Sequence, residues 1–158
     1  MTVESPSKNW GGSRKGAGRK RKSDRAHVPH GHRPAVEPNL PVHVMVRLIA
    51  GLFDLRSAAT FAALSAAFAK GGVRPGFQVI NFSAHGNDLH MIVEAENEQS
   101  LTGGMKGLNV RMARALNKIM GRTGKVFADR YHARILRSPA QVKNALEYVQ
   151  LDRDTSKK

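Results

Sequence analysis

A chain of 158 residues, 41% of them hydrophobic, carries enough apolar material for one packed domain with tails. Lysine and arginine outnumber aspartate and glutamate by 26 to 12, a formal charge of +14, and such an excess favours a polyanionic partner: nucleic acid first, an anionic membrane surface second. The lack of cysteine excludes disulfide scaffolds and thiolate zinc sites. No apolar run approaches the roughly 20 residues of a membrane span, and the N-terminus lacks the apolar core of a signal peptide. The expectation is a soluble, intracellular protein that binds nucleic acid.

Residues 1–41 differ in composition from the rest. "SKNWGGSRKGAGRKRKSDR" strings cations between glycines and serines, and "HVPHGHRPAVEPNLP" adds three histidines and four prolines. So little apolar surface cannot offset the entropy of ordering a chain, which predicts a disordered basic arm. Arg14, Lys15, Arg19, Lys20, Arg21 and Lys22 would then contact the phosphate backbone, giving affinity and salt dependence but little sequence selectivity. A nuclear address or a solubilising tail explains the same composition. His27, His30 and His32 could bind a metal, although histidines among linker prolines are more often bystanders.

Folded structure is expected from Val42 onward. "VHVMVRLI" alternates and is rich in β-branched residues, the pattern of a strand. "DLRSAATFAALSAAFAKGG" spaces Phe61, Leu64 and Phe68 as on a helix and stops at Gly71-Gly72. "GFQVINFSAH" and "DLHMIVEA" read as two strands joined at Gly86-Asn87, a hairpin signal. "EQSLTGGMKGLNVRMARALNKIMG" sets Leu101, Met105, Leu108, Met112, Leu116 and Ile119 on one helical stripe, with three glycines weakening its first half. "VFADRYHARIL" reads as a loop leading into a fourth strand. "SPAQVKNALEYVQLDRD" reads as a final helix with Ser138 as N-cap, Pro139 at the first helical position, and Val142, Leu146 and Val149 buried. The order β-α-β-β-α-β-α predicts an α+β fold, a ferredoxin-like antiparallel sheet (βαββαβ) with a C-terminal helix. One domain over 42–153 is expected, with a polar tail at 154–158.

That fold hosts many functions, so the site must name one. RNA-recognition modules stack bases on aromatics of the central strands. Phe77 and Phe82 differ by an odd number and are expected on opposite faces, which leaves no aromatic platform. In "GNDLHMIVEA", strand parity puts Asp88 and His90 on one face, about 7 Å apart along the chain. Together they could hold a divalent metal, or they could be two polar residues on a solvated face. By the same parity His85 points away from Asp88. His43 is more often a packed or hydrogen-bonded histidine than a ligand.

On the last helix, Tyr148 and Asp152 lie one turn apart on one face and could stand over Asp88 and His90 if that helix crosses the sheet. Tyr131 is the rival phenol, at a position where an aromatic usually packs. Arg111, Arg114 and Lys118 line up on one helical face, and Arg130, Arg134 and Arg137 run through the approach to the final helix. DNA phosphates or plain solvent account for either set.

Several strings resemble the single-tyrosine HUH transposases, closest to the REP-associated tyrosine transposases and related bacterial insertion-sequence proteins. They are "PVHVMVRL", "FSAHGNDLHMIVEA", "MKGLNVRMARALNKIMGRTGKVFADRYHARIL" and "ALEYVQLD", in order over roughly residues 41–152. The "GGSRKGAGRK" arm is similar to one often placed ahead of that domain. The resemblance implies a bacterial, cytoplasmic, nucleoid-associated enzyme of DNA recombination. It would cut and rejoin single-stranded or hairpin DNA through a 5′-phosphotyrosine with Mg²⁺ or Mn²⁺, as monomer or homodimer and without a membrane. Carried over by position, the nucleophile falls on Tyr148 and the metal ligands on Asp88, His90 and Asp152.

Asp88 stands where the family pattern has the first histidine of a His-hydrophobic-His pair, and Asp152 where it has an amide. Aspartate suits hard cations, yet two carboxylates add negative charge beside a phosphate. The chain also stops six residues after Asp152, as a truncated copy would. A catalytically impaired or domesticated DNA-binding descendant is therefore the alternative, with an RNA-binding ferredoxin-like module behind it.

Overall fold

The computed structural model describes Gly31 and residues 35–51, 54–55 and 57–154, with side chains described as far as residue 150. Most of the arm expected over 1–41 therefore lies outside the described residues, as does most of the tail, while residues 35–41 are described and Val36 packs against the core. Eight elements follow in order: β1 (Val42–Arg47), α1 (Ala58–Gly71), β2 (Val73–Arg74), β3 (Phe77–His85), β4 (Asp88–Ala95), α2 (Glu98–Ile119), β5 (His132–Ile135) and α3 (Pro139–Asp154). The sheet runs β2-β3-β4-β1-β5, antiparallel at every step. Without the two-residue β2, which no sequence pattern announced, this is the strand order of the ferredoxin-like fold, with β1 and β4 central. No described helix is long and apolar enough to cross a membrane.

Alternation along β1 and β4 sorts the two faces. Val42, Val44, Val46, Leu89, Met91 and Val93 are buried against α1 and α2. The α2 stripe packs there through Leu101, Met105, Leu108, Met112 and Leu116, whereas Ile119, expected to join them, is 43% exposed in the last turn. The opposite face carries α3, whose Ala145 and Val149 pack on Ile92 and Leu136, with Val142 and Leu146 partly buried. Ser138 caps α3 as expected, its Oγ accepting from the Gln141 N–H at 3.3 Å.

The glycines of α2 do not delay the helix, which starts at Glu98 behind an Asn97 cap. One of them is required: a Cβ on Gly104 would stand 2.3 Å from Cγ of Phe77, so the Phe77 ring lies directly on the helix backbone. The expected opposition of Phe77 and Phe82 is also corrected. A bulge between Val79 and Asn81 adds one residue to β3 and resets its parity. Phe77 and Phe82 then both face the helices, where Phe82 stacks on Phe68 at 4.1 Å. Neither offers a stacking surface for bases.

Candidate active site

The face of the sheet beneath α3 gathers polar side chains from four strands. Register places Ser83 beside His90, His90 beside Met45, and Met45 beside His132. One pair further along, His85 stands opposite Asp88 and Asp88 opposite Arg47; in the other direction His43 stands opposite Arg134. Directly opposed residues of an antiparallel pair share a face.

The expectation that His85 points away from Asp88 is therefore corrected. Parity counts along one strand, but His85 and Asp88 belong to two strands joined by the two-residue Gly86-Asn87 turn. Gly86 has φ of 58°, which the first central position of a type II′ hairpin requires. The residues flanking such a turn form a cross-strand pair. Reading the hairpin as a unit would have put His85 in the site.

His85 does more than share the face. Its ring lies parallel on that of Tyr148, with centroids 4.5 Å apart and planes at 11°, and its Nε2 is 3.0 Å from the Oγ of buried Ser83. His90 meets Tyr148 edge-on at 5.1 Å and 78°, and His43 does so more loosely at 6.4 Å. Tyr148 is still 45% exposed. Its phenol is thus cradled by three imidazoles without being covered. The rival Tyr131 is buried on the opposite, α2 side, its hydroxyl 3.5 Å from Thr102 Oγ1.

His43 Nε2 and His90 Nδ1 are 3.1 Å apart, so one ring donates and the other accepts. Both are biased toward the neutral form. Burial lowers His43, with Arg134 and His132 pushing the same way. Burial lowers His90 to about 4, aided by His43 and His85 and opposed by Asp88. His90 is thus ready as a neutral ligand at neutral pH.

Asp88 is engaged. Arg47 donates to it twice, Nε to Oδ1 at 2.7 Å and Nη2 to Oδ2 at 2.9 Å, in a bidentate pair. The hydrogen bonds first, and the carboxylate charge second, raise the Arg47 pKa above its ordinary value. A carboxylate and a neutral imidazole are the donor types that Mg²⁺ or Mn²⁺ accepts, with water and phosphate oxygens completing the shell. Among the described residues, however, no three His, Asp or Glu side chains are grouped to hold a metal. The side chain of Asp152 lies outside the described residues, so Asp88 and His90, which share the site face, are the two described donors that suit such an ion in kind.

The basic residues divide between the two layers. Arg134 is on the site face beside His43. Arg137 is near the start of α3 and pairs with Glu37 at 3.2 Å. Arg111, Arg114 and Lys118 are exposed on α2, beneath the sheet from Tyr148. The stem of Arg111 is packed so closely that a Cβ on Gly71 of α1 would meet its Cδ at 2.6 Å. Arg130 keeps a buried Nε that has no hydrogen-bond partner. Arg14, Lys15, Arg19, Lys20, Arg21 and Lys22 lie outside the described residues.

The fold and this face define a ferredoxin-like α+β domain whose final helix lays a tyrosine across a histidine-bearing sheet. No family model matches the sequence, and no curated protein matches it. Among solved structures, the chain is similar to a REP-associated tyrosine transposase bound to a REP hairpin, with a TM-score of 0.54 and 10% identity over 82% of this chain and 75% of that one. A weaker match is a candidate transposase from Deinococcus radiodurans R1, at 12% identity over 80% of this chain and 98% of that one, with a TM-score of 0.46. The first likeness establishes the fold of the transposase and leaves the chemistry to this chain's own residues.

Proposed function

We propose that this protein is a transposase-like DNA endonuclease and strand transferase that cuts and rejoins single-stranded hairpin DNA through Tyr148. The observation that carries the reading is the Tyr148 phenol, exposed yet fixed by the His85 stack and the His90 edge, in a fold shared with a transposase that binds a DNA hairpin. The tyrosine oxygen attacks phosphorus, the bond from phosphorus to the 3′ oxygen breaks, and the 5′ phosphate stays on Tyr148 while a 3′ hydroxyl departs. The reverse attack by a 3′ hydroxyl rejoins the strand. A divalent cation held by Asp88, His90 and Asp152 would polarise a non-bridging phosphate oxygen and offset the developing charge. The net charge of +14 favours the encounter with DNA, and Arg134 lies on the face where a phosphate would approach.

Incubation with hairpin-flanked single-stranded DNA and Mn²⁺ should give a covalent adduct that survives denaturing electrophoresis. Tyr148→Phe should give none while still binding the DNA. An adduct from Tyr148→Phe equal to that of the parent would end the proposal.

The bidentate hold of Arg47 on Asp88 favours a second reading, a descendant that binds DNA without cutting it. Cleavage appearing only in Asp88→His supports that reading, and robust cleavage by the unmodified chain overturns it.

A further inference from the structure

Three features of the strand ends near the hairpin belong together. Both oxygens of Asp88 are held by one guanidinium. The Arg47 side chain is 43% exposed and that of Asp88 22%, so the pair is within reach of solvent and solutes. The backbone beneath is pinned. The Arg47 carbonyl accepts from the Ala128 N–H at 2.9 Å, and the neighbouring Leu48 N–H donates to Asn87 at 2.8 Å. Arg47 can therefore change partners only by swinging its side chain.

A cation brought to Asp88 meets a guanidinium already seated on the same two oxygens. A divalent ion and a guanidinium that share one carboxylate repel each other, so each weakens the other's hold on Asp88. A phosphate supplies the second anion. The fork of donors that fits a carboxylate also fits a phosphate. We propose that Arg47 exchanges from Asp88 to a DNA phosphate when the strand docks, so that Arg47 both binds the substrate and controls when Asp88 can accept a divalent cation. This rests on reading Asp88 as a metal donor.

Thermodynamic linkage makes the consequence reciprocal. If DNA draws Arg47 away, DNA tightens the cation, and the cation tightens DNA by the same factor. Without the arginine, the share of the coupling that runs through this exchange is lost, and only the direct contact of phosphate oxygens with the cation remains.

The test is Mn²⁺ binding, read by the electron paramagnetic resonance signal of the free ion, in full-length chain carrying Tyr148→Phe so that DNA stays intact. Titrations are run with and without saturating hairpin-flanked single-stranded DNA, and an added Asp88→Ala change reports the Mn²⁺ that DNA itself holds. In the Tyr148→Phe chain, DNA should tighten the Asp88-dependent site at least fivefold. Adding Arg47→Gln should tighten Mn²⁺ alone by about three- to fivefold, the effect of removing one partly exposed ion pair. It should also shrink the gain from DNA by the same factor, about three- to fivefold, leaving only what phosphate oxygens add directly to the cation. Arg47→Lys, which keeps a cation beside Asp88, should retain part of the coupling. If Arg47→Gln leaves Mn²⁺ affinity unchanged or weaker, with the gain from DNA intact, the exchange is overturned. If Asp88→Ala binds Mn²⁺ as tightly as its parent, the failure lies earlier, in the assignment of Asp88 as a donor.

Discussion

The imidazole of His85 lies flat on the phenol of Tyr148, 4.5 Å between centroids and 11° between planes, while Ser83 fixes its far edge at 3.0 Å. Tyr148 sits on a helix that packs through Ala145 and Val149, leaving the tyrosine itself 45% exposed. An exposed aromatic at that point would sample several rotamers unless a second ring held it. His85 supplies that ring, and the stack defines where the hydroxyl points.

His85→Ala should therefore free Tyr148, and His85→Phe should keep it in place. Fluorotyrosine labelling resolves the question, because the chain has two tyrosines and buried Tyr131 serves as an internal reference. In His85→Ala the Tyr148 fluorine resonance should move toward the free-tyrosine position while that of Tyr131 stays. In His85→Phe it should remain ring-shifted. On the proposed role of Tyr148 as nucleophile, cleavage by His85→Ala should fall about tenfold through kcat, with KM nearly unchanged, as expected for a misplaced reacting group. A Tyr148 signal insensitive to His85→Ala would show that the stack does not hold the ring.

His90 makes stability depend on pH in one direction. Burial holds its pKa at about 4 in the fold against the ordinary 6.5. Between those values the unfolded chain takes up a proton that the folded chain refuses. The contribution of neutral His90 is therefore complete above about pH 6.5 and is lost as pH falls toward 4. Allowing for partial solvent screening, the loss is about 1–2 kcal/mol. Urea denaturation at pH 7 and pH 4.5 measures it, and His90→Gln should flatten the difference. Equal pH dependence in parent and variant would remove His90 as its source.

Two adjacent glycines of α2 should respond with opposite signs. A Cβ at Gly103 meets nothing within 4 Å, so Gly103→Ala should stabilise the helix by up to about 1 kcal/mol. At Gly104 the same Cβ falls 2.3 Å from Cγ of Phe77. The helix gain is there exceeded by overpacking of about 1–3 kcal/mol. Denaturant midpoints should rise for one variant and fall for the other, and a rise for both would mean that Phe77 has room to move.

These sites show what the sequence could and could not reveal. The stripe from Leu101 to Leu116 and the alternation of Val42, Val44 and Val46 are local periodicities, and each appears in the structure where the pattern placed it. Parity arguments failed wherever the chain broke its own count. The bulge at Ile80 reversed the relation of Phe77 to Phe82, and the hairpin turn brought His85 to the side of Asp88. The Arg47–Asp88 pair joins residues 41 apart through the β1–β4 register, which no local pattern encodes. Tyr148 stood out through a family resemblance, but the imidazoles that hold it come from β1, β3 and β4 and become visible together only once α3 is seated.

The cations named from sequence should likewise separate by layer. Arg134 shares the face of His43 and Tyr148, whereas the stem of Arg111 is packed against Gly71 of α1 on the other side of the sheet. If DNA approaches Tyr148, Arg134→Ala should weaken single-stranded DNA binding and lower the slope of log K against log salt by about 0.7, the loss of one phosphate contact. Arg111→Ala should leave DNA affinity within twofold and instead cost about 1 kcal/mol of stability, because its stem, packed against Gly71, supports the α1–α2 contact. Fluorescence anisotropy at several salt concentrations distinguishes the two. A loss of affinity confined to Arg111→Ala would put the DNA on the α2 layer, away from the tyrosine, and would count against cleavage through Tyr148.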